Sequence, residues 1–162
     1  MRNHQIDSYL KIIFFISLIS LISAFYIEYA LGHQPCNLCL IQRVPYGLCI
    51  ILLILNYFHR KDEKFIILLL TLIFSFSFLV SFYHFGIEQG FFDESAVCTT
   101  KNILDIISKE ELLKQLQRKT VSCKDVTFRI FGFSLTTFNM FISLIFVTLL
   151  VKIFKNYEKY KK

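Results

Sequence analysis

The sequence predicts an all-α membrane protein: a four-transmembrane-helix up-and-down bundle with a long external loop carrying a short amphipathic helix. Three observations lead there. Hydrophobic residues make up 55% of the 162-residue chain, Phe occurs 19 times, and there are only five Gly and two Pro. With a mean hydropathy of +0.55, this excludes a disordered or low-complexity chain. The apolar residues gather into four blocks, each near the ~20 residues that cross a ~30 Å hydrocarbon core. The blocks lack the polar–apolar alternation of barrel strands. Backbone amides in lipid must bond within their own segment, so each block is expected to be a helix. Together they form one integral membrane domain over residues 1–162.

The first span is expected at about residues 12–31 and carries one charge, Glu28, near its end. Its apolar stretch exceeds the ~7–15 residues of a signal-peptide core, and no A-x-A-like site follows, so a retained anchor is expected. After a tight loop, residues 32–39, the second span covers 40–58, with Arg43 near its start. The third, 65–83, and the fourth, 130–151, contain no charge. Between them lies a long loop, residues 84–129. Within it Ile103, Leu104, Ile106, Ile107, Leu112, Leu113 and Leu116 form a stripe at helical spacing. A helix over 102–119 would lie in the membrane interface or pack on the outer end of the bundle.

Charge sets the orientation. Four spans put both termini and the loop 59–64 on one side, and that side holds ten of the 18 Lys and Arg in short segments. Net charge there is +6, against zero on the other side. Positive residues near span ends stay in the cytoplasm, so both termini are expected to be cytoplasmic. The basic balance therefore reports topology. No basic face with an aromatic platform stands outside the spans to suggest nucleic acid.

Of the five cysteines, Cys36, Cys39, Cys98 and Cys123 fall in the two segments assigned outside. An exported compartment is where disulfides persist. Cys36-Asn37-Leu38-Cys39 is a C-x-x-C leading into a helix, with Arg43 one turn beyond Cys39. A helix N-terminus and a nearby cation both favour the thiolate, the species that attacks and leaves in disulfide exchange. Cys98 and Cys123 stand far apart in the long loop. A structural disulfide there would contribute roughly 3 kcal/mol in the chain-entropy model; alternatively, two pairs on one membrane face can pass electrons in relay. A structural zinc site would show two close C-x-x-C knuckles, and the second pair is too widely spaced for one, so no metal is expected. Cys49, inside the second span, reads as a small packed hydrophobe.

These residues carry a family resemblance. Pro35-Cys36-Asn37-Leu38-Cys39, followed by Gln42-Arg43 and Pro45-Tyr46, resembles the signature of the DsbB family of membrane disulfide-forming oxidoreductases. The segment from Tyr83-His84 through Gly86, Glu88 and Gly90, ahead of Cys98-Thr99, is similar to the end of that family's third span. Cys123-Lys124-Asp125, leading to Phe133-Ser134-Leu135 and Asn139, is similar to its approach to the fourth. The resemblance implies a quinone-dependent thiol oxidase of the bacterial inner membrane, with active cysteines on the periplasmic side. It implies ubiquinone or menaquinone as cofactor, and a periplasmic DsbA-like thioredoxin-fold oxidase as partner. Cys98–Cys123 would be the disulfide attacked by the reduced partner, with Cys98 taking the mixed disulfide. Cys123 would then exchange with Cys36, and Cys39 would face the quinone, with Arg43 stabilising charge that develops on its oxygen. The chain departs from the family in having no Trp; Phe91, Phe92, Phe128 and Phe138 occupy segments where the family often has it.

Some residues bear two readings. Arg43 either snorkels to the interface or contacts the quinone, since the four-residue step from Cys39 puts both on one helix face. His84 either caps the third span or adds a second quinone contact. His33 reads as ordinary loop. Glu28, near a span end, reads as solvated at the interface, although a carboxylate within a span is a functional candidate by rule.

Overall fold

The computed structural model describes residues 4–58, 63–94, 98, 122–124, 129–130 and 133–157. The amphipathic helix expected over 102–119 lies outside the described residues. Four helices make up the fold: α1 (His4–Tyr29), α2 (Asn37–Phe58), α3 (Glu63–Glu88) and α4 (Leu135–Lys155). All four are long and apolar enough to cross a membrane. α3 and α4 share the largest contact, followed by α2 with α3 and α1 with α2. Chain neighbours therefore pack on one another in an up-and-down arrangement, with short connections joining α1 to α2 and α2 to α3 and a long one joining α3 to α4.

The helices differ from the expected spans at their ends. α1 begins at His4 rather than residue 12, α2 begins at Asn37 inside the expected loop 32–39, and α4 begins at Leu135 rather than 130. α3 runs on to Glu88, so His84, placed by sequence at the start of the long loop, is helical. Hydropathy locates the lipid-buried middle of a span. Where the helix stops is decided by backbone hydrogen bonding and caps, which continue through the interface.

Each end near the cysteines has such a device. Past α1, Gly32 adopts φ 72° and the chain turns, with the His33 amide donating to the Ile27 carbonyl at 3.2 Å. Past α3, Gly90 adopts φ 79°, and the Phe91 and Phe92 amides both return to the Gly86 carbonyl. Positive φ is cheap only for glycine, so these two positions close the helices. Before α4, Arg129 and Ile130 pair antiparallel with Ser134 and Phe133 in a two-residue ladder, denoted β1 (Arg129–Ile130) and β2 (Phe133–Ser134). This ladder occupies residues assigned by hydropathy to the fourth span. Ser134 then caps α4, its hydroxyl oxygen accepting from the Thr137 amide.

The core fills the end of the bundle away from the cysteines and its middle. Phe74 meets Phe146 edge-on at 4.8 Å and Tyr46 at 5.7 Å, among Ile13, Leu70 and Leu150. Cys49 is fully buried in this cluster, accepting a weak hydrogen bond from Ser17 at 3.6 Å. Pro45 sits inside α2, as neighbouring helices permit in membrane spans. The outer faces stay apolar: Phe15, Ile19, Leu72, Phe76, Leu79, Phe141 and Ile145 are all exposed. So much exposed hydrocarbon around a bundle suits lipid as its solvent.

Candidate active site

Cys36 is the N-cap of α2. Its carbonyl accepts from the Leu40 amide at 3.2 Å, and its sulfur accepts from the Cys39 amide at 3.3 Å. Sulfur thus takes the place of the oxygen that usually ends a helix. Cys36 and Cys39 are both free thiols, with sulfurs 2.8 Å apart. The hydrogen bond from the Cys39 thiol, with another from His84, holds the Cys36 thiol well below the usual thiol range, against the opposing effect of burial. These contacts favour negative charge on the Cys36 sulfur.

Cys98 and Cys123 form a disulfide with Cα atoms 5.5 Å apart. Glu94 anchors the chain around it, accepting from the Ser122 hydroxyl and, at 3.1 Å, from the Lys124 amide. The disulfide is buried in one cluster with Cys36, Leu38 and Ile87, and Cys39 packs against that cluster. The long loop therefore returns its cysteines to the C-x-x-C.

His84 sits behind the thiols, 1% exposed. Its Nε2 lies 3.6 Å from the Cys36 sulfur and 3.7 Å from the Glu88 carboxylate, one turn along α3. Its Nδ1 lies 3.1 Å from the Gln42 amide nitrogen and 3.2 Å from the Thr136 hydroxyl. Glu88 is itself held by Thr136, at 2.7 Å, and by the capping Ser134, at 2.5 Å. α2, α3 and α4 are thus tied together by polar groups beside the C-x-x-C.

Arg43 does not snorkel freely. It donates to Glu28 of α1, lies 5.1 Å over the Phe25 ring, and reaches the Ala24 carbonyl at 3.4 Å. Glu28 is thereby the counter-ion of Arg43, a role that sequence left open. A cavity of about 470 Å³ opens beside these groups, lined from all four helices and including Cys36, Cys39, Arg43, His84, Glu88 and Cys123. Its remaining walls are largely apolar, among them Ile19, Ile27, Leu135, Phe138 and Ile142. Volume and lining suit a small, mostly apolar ligand with a polar edge.

Cys36, Cys39, Arg43, His84 and Cys123 all line this cavity and Cys98 is bonded to Cys123, whereas Cys49 lies apart in the core. For Glu88, Gln42 and Asn139 the sequence offers only their places in the family motifs. Glu88 had a usable signal, its spacing of four residues from His84, but ending the third span at 83 placed both in a loop. Metal ligation can be weighed directly: Cys36, Cys39 and His84 offer donor atoms within 4.8 Å of one another. Two thiolates on a tetrahedral zinc, at Zn–S of about 2.3 Å, stand about 3.8 Å apart. Sulfurs at 2.8 Å suit closure to a disulfide instead.

A bundle of four spans with a dithiol and a disulfide against one cavity defines a multi-pass membrane protein built for thiol–disulfide chemistry. The chain belongs to the DsbB family: the family model for disulfide bond formation protein DsbB matches residues 7–153. Membership makes it a disulfide oxidoreductase acting through its cysteines. It is also 28% identical over 131 residues to an uncharacterized protein of Rickettsia prowazekii (strain Madrid E), a match covering 80% of this chain and 76% of that one. Of the Phe residues standing where the family often has Trp, Phe92 stacks on Tyr83 at 5.7 Å and Phe138 meets Phe133 edge-on at 6.4 Å. Phe128 lies outside the described residues.

Proposed function

We propose that the protein oxidises a reduced, periplasmic thioredoxin-fold protein of the DsbA type and delivers the electrons to a membrane quinone, ubiquinone or menaquinone. The observation that carries this reading is the burial of the Cys98–Cys123 disulfide against the Cys36–Cys39 dithiol at one cavity. A structural disulfide alone would not need a reducible pair beside it.

The exchange balances as follows. A partner thiolate attacks Cys98, forming a mixed disulfide and releasing Cys123 as thiolate. The partner's second thiol displaces Cys98 and leaves oxidised. With Cys36–Cys39 in its disulfide form, the Cys123 thiolate attacks Cys36 and Cys39 departs. Cys98 then attacks Cys123, restoring Cys98–Cys123 and releasing Cys36. The result is one disulfide and one dithiol, the arrangement described above.

A quinone held in the cavity would supply the oxidant, accepting the two electrons that Cys36 and Cys39 give up as their sulfurs join, with one proton from the Cys39 thiol and a second from water. The chain's own groups prepare that step. The Cys39 amide and thiol and the His84 ring hold charge on the Cys36 sulfur. Arg43, fixed by Glu28, offers a cation at the cavity wall where negative charge develops, in surroundings poor in water. The apolar walls keep water from competing. Lys and Arg placement supports cytoplasmic termini and periplasmic cysteines in a bacterial inner membrane.

Purified protein mixed with ubiquinone or menaquinone and a reduced DsbA-like protein tests this by quinone absorbance. Quinone is expected to disappear only when both the partner and Cys36 are present, with Cys36→Ser inactive. Persistence of both quinones, with the partner still reduced, would leave a scaffold with a structural disulfide.

A further inference from the structure

We propose that Gln42 and Asn139 are positioning residues that keep the proton of the His84 ring on Nε2, facing the Cys36 sulfur. This rests on the reading of Cys36 as the exchanging thiol and adds how its hydrogen-bond donor is set.

A buried chain of hydrogen bonds starts at a backbone carbonyl. The Ser81 hydroxyl donates to the Ser77 carbonyl at 2.8 Å, so its oxygen is left to accept. It accepts from the Asn139 side-chain nitrogen at 2.6 Å. That fixes which end of the Asn139 amide points where: its oxygen accepts from the Tyr46 hydroxyl, and its second N–H donates to the Gln42 oxygen at 3.1 Å. With its oxygen so engaged, Gln42 presents its NH2 to His84 Nδ1 at 3.1 Å. An N–H donor there requires a lone pair on Nδ1, so the ring proton belongs on Nε2. Nε2 is the nitrogen 3.6 Å from Cys36.

The other neighbours do not reverse this order. Thr136 donates to Glu88 at 2.7 Å and offers its oxygen to Nδ1 at 3.2 Å, a contact that favours the other tautomer and is longer than the 3.1 Å contact of the Gln42 amide. Glu88, 3.7 Å from Nε2, also prefers a proton on that nitrogen. The chain therefore selects the tautomer that donates toward sulfur. The burial of Gln42, Ser81 and His84, at 7%, 0% and 1% exposure, leaves little water to blur the choice.

The test is nitrogen NMR of histidine-labelled protein in detergent at pH 7.5, with neither quinone nor partner, and His84→Gln to assign the signals. His84 Nδ1 is expected in the unprotonated range and Nε2 in the protonated range. In Asn139→Asp the carboxylate accepts from Gln42, the amide turns its oxygen to the ring, and the Nδ1 signal should move to the protonated range. In Gln42→Met, which has no donor, the single pattern should give way to averaged positions for both nitrogens. A wild-type ring protonated on Nδ1, or a pattern unmoved by either substitution, overturns the proposal. Quinone turnover on the same samples is a separate readout. Wild-type turnover that fails while the Nε2 pattern holds would remove the proposed electron acceptor and leave the tautomer network standing.

Discussion

Cys36 draws its reactivity from three donors of different origin: a helix amide, a neighbouring thiol and the His84 ring. Its thiol is lowered from the usual range, chiefly by Cys39 and next by His84. The thiolate therefore persists as pH falls below the ~8.5 of a free cysteine. Iodoacetamide labelling of Cys36 in reduced protein should accordingly hold its rate below that pH, and His84→Leu should move the midpoint upward. A hydrogen bond to a charged group contributes about 1.5–3 kcal/mol, so the move should be about one to two units. An unmoved midpoint would take His84 out of the account. Arg43 and Glu28 make the second residue-scale case. Breaking a buried ion pair costs about 3–5 kcal/mol because one charge is stranded. Here the side chains keep 17% and 22% exposure, so the cost should be smaller. Glu28→Ala should lower the melting temperature in detergent more than Glu28→Ala combined with Arg43→Ala does. A double variant that loses the sum of the Glu28→Ala and Arg43→Ala losses would show that the pair is not coupled. Sequence placed Arg43 on the face of Cys39 by helical spacing, but Glu28 sits on another helix, and no local pattern joins them.

At the scale of elements, the middles of the helices were legible and their ends were not. Four uninterrupted apolar blocks leave helix as the only backbone that satisfies itself in lipid. Ends depend on single groups: Gly90 past α3, the Cys36 sulfur before α2 and the Ser134 hydroxyl before α4. Ile130 and Phe133 are as apolar as the span they precede, and hydropathy could not distinguish them from it. Their ladder delays α4 until Ser134, whose hydroxyl both caps the helix and donates to Glu88. Ser134→Ala should cost about 1 kcal/mol for the cap and about another 1 kcal/mol for the lost bond to a buried carboxylate. Thermal unfolding in detergent measures the sum, and an unchanged midpoint would contradict both roles. The extension of α3 to Glu88 mattered most for function, since it brings His84 and Glu88 onto one helix face.

For the whole molecule, hydropathy and connection length suffice for an up-and-down bundle, and alternating direction then puts the cysteine-bearing ends together. The return of Cys98 and Cys123 to Cys36 was not legible from spacing, because Cys123 stands 87 positions from Cys36. Only the family resemblance supplied it. The central claim is that Cys123 and Cys36 meet closely enough to exchange. It is tested most directly in Cys39→Ser/Cys98→Ser protein, where their resolving partners are gone. On mild oxidation, mass spectrometry of the digested protein should find a disulfide joining Cys36 to Cys123 within one chain. Recovery of both as free thiols, or paired only between chains, would contradict the relay.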